Sequence, residues 1–226
     1  MQSVKVVAVS KPTISDPITG YIVGVDEFIA YVARVSNPSN QMNTETAPKL
    51  LRYLAKHKHW SPFEMVSICM EIDTTRDIAR QILRHRSFSF QEFSQRYADP
   101  TKDLGFVTRE ARLQDMKNRQ NSIETEDEKL QRDWNQIQSN MQDMARGAYK
   151  WAIENNIAKE QARAVLPEGL IQSRMYMNGT LRSWIHYCEL RMDNGTQKEH
   201  REIATMAWNE ITKIFPSLTD VLSDTK

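Results

Sequence analysis

Residues Arg76–Tyr97 read RDIARQILRHRSFSFQEFSQRY. The first half steps by three and four and predicts a helix over Thr74–His85. The second half alternates and predicts extended chain over Phe90–Tyr97. Helix and strand thus meet within one short stretch. The residues before it, Met65–Ile72, also alternate and suit a strand, although Ser61-Pro62-Phe63-Glu64 has the spacing of a capping box.

Working outward, the N-terminal side gives a strand over Val4–Ser10, a Pro-containing loop over Lys11–Gly20 and a helix over Asp26–Ser36 capped near Asp26. Asn37–Thr46 is turn-rich, and Pro48–His57 predicts a helix with proline in its first turn. On the C-terminal side, residues 108–129 are dense in charge and read as a solvated connection. Thr125 and Glu128 have the spacing to cap a long helix. Its apolar positions, Leu130, Trp134, Ile137, Met141, Met144, Ala148 and Trp151, alternate steps of four and three. They predict either a face packed on the core or a self-associating seam. Further elements are a helical stretch over Lys159–Val165, an extended piece over Ser173–Asn178 and a helix over Thr180–Met192 capped by Thr180. Thr196 and Glu199 open a last helix, with Ile203, Met206, Ala207, Ile211 and Ile214 as its buried stripe. No repeat or linker interrupts the 226 residues. The expectation is one α+β domain over 1–226, with a variable helical region over 100–150.

The totals narrow the function. Thirty Lys+Arg against 29 Asp+Glu leave a net charge of +1, which argues against binding polymeric nucleic acid through bulk charge. No apolar run approaches the ~20 residues of a membrane helix. The beginning of the sequence shows no signal segment, and its two cysteines lack metal-ligand spacing, so a cytoplasmic protein without a metal is expected. Its seven glycines form neither G-x-G-x-x-G nor a P-loop. Phosphates would have to be held by side chains, arginine above all.

Chemistry-bearing residues collect in the opening stretch. Arg76, Arg80 and Arg84 are spaced to share a helix face, where like charges repel unless acids or a bound anion compensate. Arg84-His85-Arg86 stands at the helix end and could hold several groups at once. Gln81 shares a helix face with Arg84. Glu92, Ser94 and Arg96 would share one strand face and Phe93, Gln95 and Tyr97 the other. Ser94 has no nucleophile elbow and no activating base, so a binding role is favoured. On the helix over Thr180–Met192, Arg182, His186 and Glu189 form a polar stripe opposite Leu181, Ile185 and Cys188. Cys188 is expected in the core. Arg191 stands near that helix's end, where its charge also gains from the helix dipole.

These motifs resemble a known family. Arg84-His85-Arg86, seven residues, then Ser94 is similar to the R-H-R-x7-S signature of flavin-dependent thymidylate synthases. His59-x-Ser61-Pro62-Phe63-Glu64, Ala162-Arg163-x-Val165-Leu166-Pro167 and Leu181-Arg182-Ser183 through Arg191 also resemble family segments. The resemblance spans about residues 20–215. It implies an α+β homotetramer with a mixed sheet, long helices and active sites shared between subunits. It implies FAD, NADPH, dUMP and 5,10-methylenetetrahydrofolate, with dTMP as product. Ser61, Arg84, His85, Arg86, Glu92, Thr180, Leu181, Arg182 and His186 resemble FAD-site positions. Gln81, Arg84, Glu92, Ser94, Gln95, Arg96, Arg163 and Arg191 resemble dUMP-site positions. Arg191 resembles the arginine that favours ionisation of the uracil ring. The alternative from residues alone is a single-stranded nucleic-acid-binding module using the Arg76–Arg96 basic cluster with Phe88, Phe90, Phe93 and Tyr97 for stacking.

Overall fold

The computed structural model describes residues 2–16 and 19–222, so two residues of the expected 11–20 loop lie outside the described residues. In chain order the elements are β1 (Ser3–Val9), α1 (Val25–Ala33), α2 (Ala47–Lys56), β2 (Ser67–Thr75), α3 (Arg76–Ile82), β3 (Ser89–Glu92) and α4 (Pro100–Asp103). Then follow β4 (Arg112–Gln114), β5 (Ser122–Glu124), α5 (Glu128–Glu154), α6 (Lys159–Ala162), β6 (Gln172–Thr180), α7 (Leu181–Arg191) and α8 (Lys198–Ile214). Short 3-10 turns include Ser61–Met65 and Arg163–Val165.

The main sheet has the order β1-β2-β6-β3. All its pairings are antiparallel, which corrects the expected mixed sheet. The chain leaves β2 at Thr75 and re-enters opposite it at Gln172, so β6 must run back along β2. Alternation then sorts the side chains. Ile68, Met70 and Ile72 of β2 and Met175 and Met177 of β6 are fully buried beneath α1, α2, α7 and α8. The opposite face is polar and paired across strands: Arg174 donates to Asp73 at 2.7 and 2.9 Å, and Tyr176 Oη donates to Glu71 at 2.7 Å. The indole of Trp184 ties α7 to the sheet by donating to the Ile68 carbonyl at 3.0 Å.

Several boundaries differ from the sequence reading. α3 begins only at Arg76, because Thr74 and Thr75 still pair with Ser173 and Gln172. The extended piece stops at Glu92. The N–H groups of Tyr97 and Ala98 both donate to the Ser94 carbonyl, so Ser94–Tyr97 is a turn, and Glu92, Ser94 and Arg96 do not share a strand face. The charged connection contains the β4–β5 hairpin, whose turn is held by Asp115 accepting from the N–H groups of Lys117 and Asn118 at 2.8 and 3.1 Å. Asp127, not Thr125, caps α5 by accepting from Leu130 N at 3.0 Å. Gly24 replaces Asp26 as the N-cap of α1, with its N–H on the Glu27 carboxylate at 2.7 Å. Gln197 precedes α8, while the Thr196 hydroxyl turns back to the Leu190 carbonyl. Ser61 caps nothing with its side chain. Thr180 does cap α7, accepting from Ser183 N at 3.2 Å.

The largest correction concerns α5. Leu130, Trp134, Ile137, Met141, Met144 and Trp151 are 38–68% exposed, so this stripe does not pack on the core. A different apolar set, Tyr149 and Ala152, packs its C-terminal half on Ala162 and Leu166, and its N-terminal half is held by amides. Gln138 brackets Arg109, accepting from its N–H and donating to its carbonyl, both at 2.8 Å. Gln131 does the same for Ala111 at 2.8 and 2.9 Å, and Gln142 donates to the Val107 carbonyl. Among the described residues no helix is long and apolar enough to cross a membrane.

Candidate functional site

The sequence-predicted residues gather in two groups, and no hydrogen bond or ion pair among the described residues joins one group to the other. The first forms where α3 ends against α7. The helix stops at Ile82, so Arg84, His85 and Arg86 lie in the turn that follows it. Arg191, from the last turn of α7, donates through Nε to His85 Nε2 at 2.9 Å. That nitrogen must therefore carry a lone pair, and His85 is neutral with its proton on Nδ1. Burial, with the Arg191 and Arg84 charges, pushes its pKa down to about 4. Arg191 has its own pKa lowered by burial. Among the described residues, Arg84, Arg86 and Arg191 have no carboxylate within ion-pair distance.

The same helix reaches the Ser61–Met65 turn. Arg182 pairs with Glu64, and the His186 ring meets Trp60 edge-on with centroids 4.9 Å apart. Burial lowers the His186 pKa, aided by the Arg182 charge. Leu181 is fully buried and its N–H donates to the Val66 carbonyl, so it offers a ligand no side chain. Cys188 is fully buried, which pushes its thiol pKa up and leaves it an inert core residue.

The second group surrounds a cavity of about 270 Å³ lined by Arg76, Arg80, Gln95, Glu160, Arg163, Ala164, Leu166 and Glu168. Of the compensations open to the arginine stack, acids of the chain are the ones found at Arg76 and Arg80. Arg76 lies 3.4 Å from Glu92 and 3.8 Å from Glu168, and Arg80 lies 3.0 Å from Glu168. With Arg96, which pairs with Glu160, three of the five arginines in the cluster on which the nucleic-acid reading rests are paired with acids. Glu92 also accepts from the Ser173 hydroxyl at 2.7 Å. Arg96 pairs with Glu160 at 3.7 Å, and Ser94 Oγ accepts only a long contact from Arg96 N at 3.4 Å. Two donors remain available to a ligand. Gln95 Nε2 is buried without a partner, and Arg163 uses only Nε, on the Glu160 carbonyl. A buried amide N–H without an acceptor costs about 1–3 kcal/mol, which a bound acceptor would offset.

Sequence reasoning missed Tyr187, Gln197 and His200, which shape the first group, and named Phe88 only as a stacking residue. Phe88 and Tyr187 pack on the His85 ring, with centroids 6.5 and 4.9 Å away. Gln81 is gripped from both ends, donating to Gln197 at 2.8 Å and meeting His200 Nδ1 at 3.2 Å. The partners of Gln81 lie 116 and 119 residues along the chain, and no local pattern signals them.

Comparison with known proteins places this geometry. Residues 18–217 match the model of the thymidylate synthase complementing protein family. A probable flavin-dependent thymidylate synthase of Paramecium bursaria Chlorella virus 1 is 46% identical over 220 residues, covering 97% of this chain and 98% of the relative. A flavin-dependent thymidylate synthase of Synechocystis is also 46% identical, over 219 residues with the same coverage. The crystal structure of a UMP/dUMP methylase, PolB from Streptomyces cacaoi bound with 5-Br dUMP, shares the fold with a TM-score of 0.78. It is 22% identical, covering 99% of this chain and 95% of that one. The chain belongs to the flavin-dependent thymidylate synthase family.

Proposed function

We propose that this member of the family converts dUMP to dTMP, taking carbon from 5,10-methylenetetrahydrofolate and reducing equivalents from NADPH through FAD. The observation that carries the reading is the half-buried Arg191 held on a neutral His85, beside Arg84 and Arg86 with no acid among the described residues to neutralise them.

The residues fit FAD. Its pyrophosphate needs cations that are not already paired, and Arg84 and Arg86 meet that need. On α7, Arg182 and His186 reach the Ser61–Met65 turn, and Ser183 donates to the Ser87 carbonyl, next to Arg86, at 3.4 Å. When bound, FAD would supply the redox chemistry that turns the transferred carbon into a methyl group. The chain's own contribution is electrostatic. With Nε fixed by His85, Arg191 has both terminal nitrogens free to donate to an anion. A fixed cation beside the uracil ring favours its ionisation at N3 and makes C5 more electron-rich for carbon transfer. Keeping His85 neutral avoids a competing positive charge and leaves its lone pair to orient the guanidinium. Gln95, Arg96, Ser94 and Arg163 would serve the same nucleotide from the second group.

Among the described residues no hydrogen bond or ion pair joins the two groups within one chain, and the exposed α5 stripe offers an apolar surface of the kind that a second copy covers. Both features support a homotetramer whose sites draw residues from different subunits.

The test begins with the purified protein. A bound flavin absorption band should bleach with NADPH, and dTMP should form from dUMP and methylenetetrahydrofolate. Arg191→Ala should abolish dTMP formation while the assembly survives. Normal turnover in that variant would overturn the role of Arg191, and failure to bind flavin under any condition would overturn the whole reading.

A further inference from the structure

Beneath the first group lies a chain of hydrogen bonds, part-buried at Glu199 and fully buried at Tyr187, whose direction is fixed from one end. Glu199 is ion-paired with Arg112, and its carboxylate can only accept. Gln197 therefore faces it with Nε2, at 2.9 Å. The Gln197 carbonyl oxygen is then turned toward Gln81, which must present its own Nε2, at 2.8 Å. Gln81 Oε1 is left facing His200 Nδ1 at 3.2 Å, so that nitrogen must carry the proton. His200 Nε2 is consequently a bare acceptor, and the Tyr187 hydroxyl donates to it at 3.1 Å. Each step leaves one choice for the next.

We propose that Tyr187 and His200 are positioning residues for Gln81, holding its oxygen from the far end of a relay whose near end, Glu199 and Gln197, holds its nitrogen. The inference rests on the reading above, in which Gln81 touches dUMP. His200 is fully buried and Tyr187 is 1% exposed, so neither meets the ligand directly. Burial, with the Arg191, His85 and Arg84 charges, holds the His200 pKa down to about 3. The ring is therefore neutral, with the one N–H and one lone pair the relay needs. Packing α8 on α7 does not by itself demand these groups, because apolar side chains of similar shape fill such a space at little or no loss. The polar set does what apolar packing would not. With one amide hydrogen on Gln197 and one oxygen lone pair on His200, Gln81 keeps one N–H and one lone pair in known places for the nucleotide. A free amide would divide its population between two flipped orientations, and a ligand would have to select one.

The experiment is a double-mutant cycle read by dUMP binding to the FAD-loaded enzyme. Tyr187→Phe removes one hydroxyl and frees His200 to move its proton to Nε2. It should weaken dUMP binding about tenfold, in line with the net worth of one buried hydrogen bond, with FAD content and assembly unchanged. In the Gln81→Ala background the same substitution should cost less than about twofold. His200→Asn, whose amide nitrogen can stand near the place of Nδ1, should bind dUMP within about threefold of wild type. His200→Leu should lose at least as much as Tyr187→Phe. Full additivity of Tyr187→Phe with Gln81→Ala, or unaltered binding by His200→Leu, would overturn the relay. Nitrogen-15 spectra of histidine-labelled wild type test the geometry without nucleotide: the His200 proton should sit on Nδ1, and an Nε2–H form overturns the relay even if the variants fold poorly. Wild type that binds no dUMP sinks the functional reading instead, and the labelled spectrum still decides the relay.

Discussion

Gly179→Ala tests how tightly the sheet holds the Arg84–Arg86 turn. Gly179 lies in β6 opposite Ile68, and an added Cβ would stand 2.4 Å from Phe88 Cδ1 and 2.6 Å from Cε1. Carbon atoms need about 3.5–4.0 Å, so the ring must retreat by roughly an ångström. Its retreat is blocked by Trp184, centroid 4.9 Å away and fully buried, and by Tyr187 at 6.0 Å. Overpacking of this kind costs about 1–3 kcal/mol. The backbone at Gly179 is ordinary for a strand residue, so the loss is steric. Phe88 follows Arg86 by two residues and packs on His85, so a displaced ring carries the turn with it. Denaturant titration should show that loss of stability, and dUMP and FAD affinity should fall with it. Phe88→Val in the Gly179→Ala background should recover part of the loss, a coupling of about 0.5–3 kcal/mol. Wild-type stability in Gly179→Ala, or losses that simply add in the double variant, would refute the reasoning.

Acid should weaken the fold well above the carboxylate range. The His200 pKa is depressed from 6.5 to about 3, so its stabilisation is complete above the unfolded value and is lost as pH falls from about 6.5 toward 3. Over the whole interval this amounts to about 5 kcal/mol, at most about 1.4 kcal/mol per pH unit, and His85, at about 4, acts in the same sense. Guanidinium titrations at pH 7 and 5 should show a smaller drop for His200→Asn than for wild type; equal drops would contradict the assignment. On α5, Trp134→Glu and Ile137→Glu place charge on side chains already 40% and 54% exposed. Each should leave the helical circular dichroism intact while sedimentation shows a smaller assembly, and an unchanged sedimentation coefficient would remove α5 from the interface.

Local chemistry made part of this molecule legible in its sequence. Thr180 announces α7 because a hydroxyl at that place satisfies a free N–H of the first turn, and it does so here. Cys188 sits inside because its helix position follows Leu181 and Ile185, both fully buried. The remainder depended on distant partners. β6 looked like a short piece because Arg174, Tyr176 and Asn178 interrupt its apolar residues. They are the outward half of a nine-residue strand, and the acids that satisfy Arg174 and Tyr176 are more than a hundred residues upstream. The arginine stack looked uncompensated because Glu168, which answers both Arg76 and Arg80, comes 88 residues after Arg80. Tyr187 and His200 had no visible signal, since each reads as an ordinary helix residue until α7 and α8 are packed together.

α5 shows why periodicity alone cannot assign a buried face. Its apolar stripe satisfies the pattern of a core helix, yet the three glutamines at 131, 138 and 142 bind it to the chain through the backbone of Val107, Arg109 and Ala111. An extended segment without a strand partner must place its N–H and carbonyl groups somewhere. A glutamine amide offers one donor and one acceptor, so it can serve both groups of one residue, as Gln131 and Gln138 do. The amides face inward on the side that also buries Ala145, Tyr149 and Ala152, and this leaves the Leu130–Trp151 stripe outside. The same helix can therefore fasten the 107–111 segment with one face and offer a surface for another subunit with the other. In the proposed homotetramer, a neighbouring copy seated on that face would bring Arg163 and Gln95 of one chain to Arg191 and Gln81 of another.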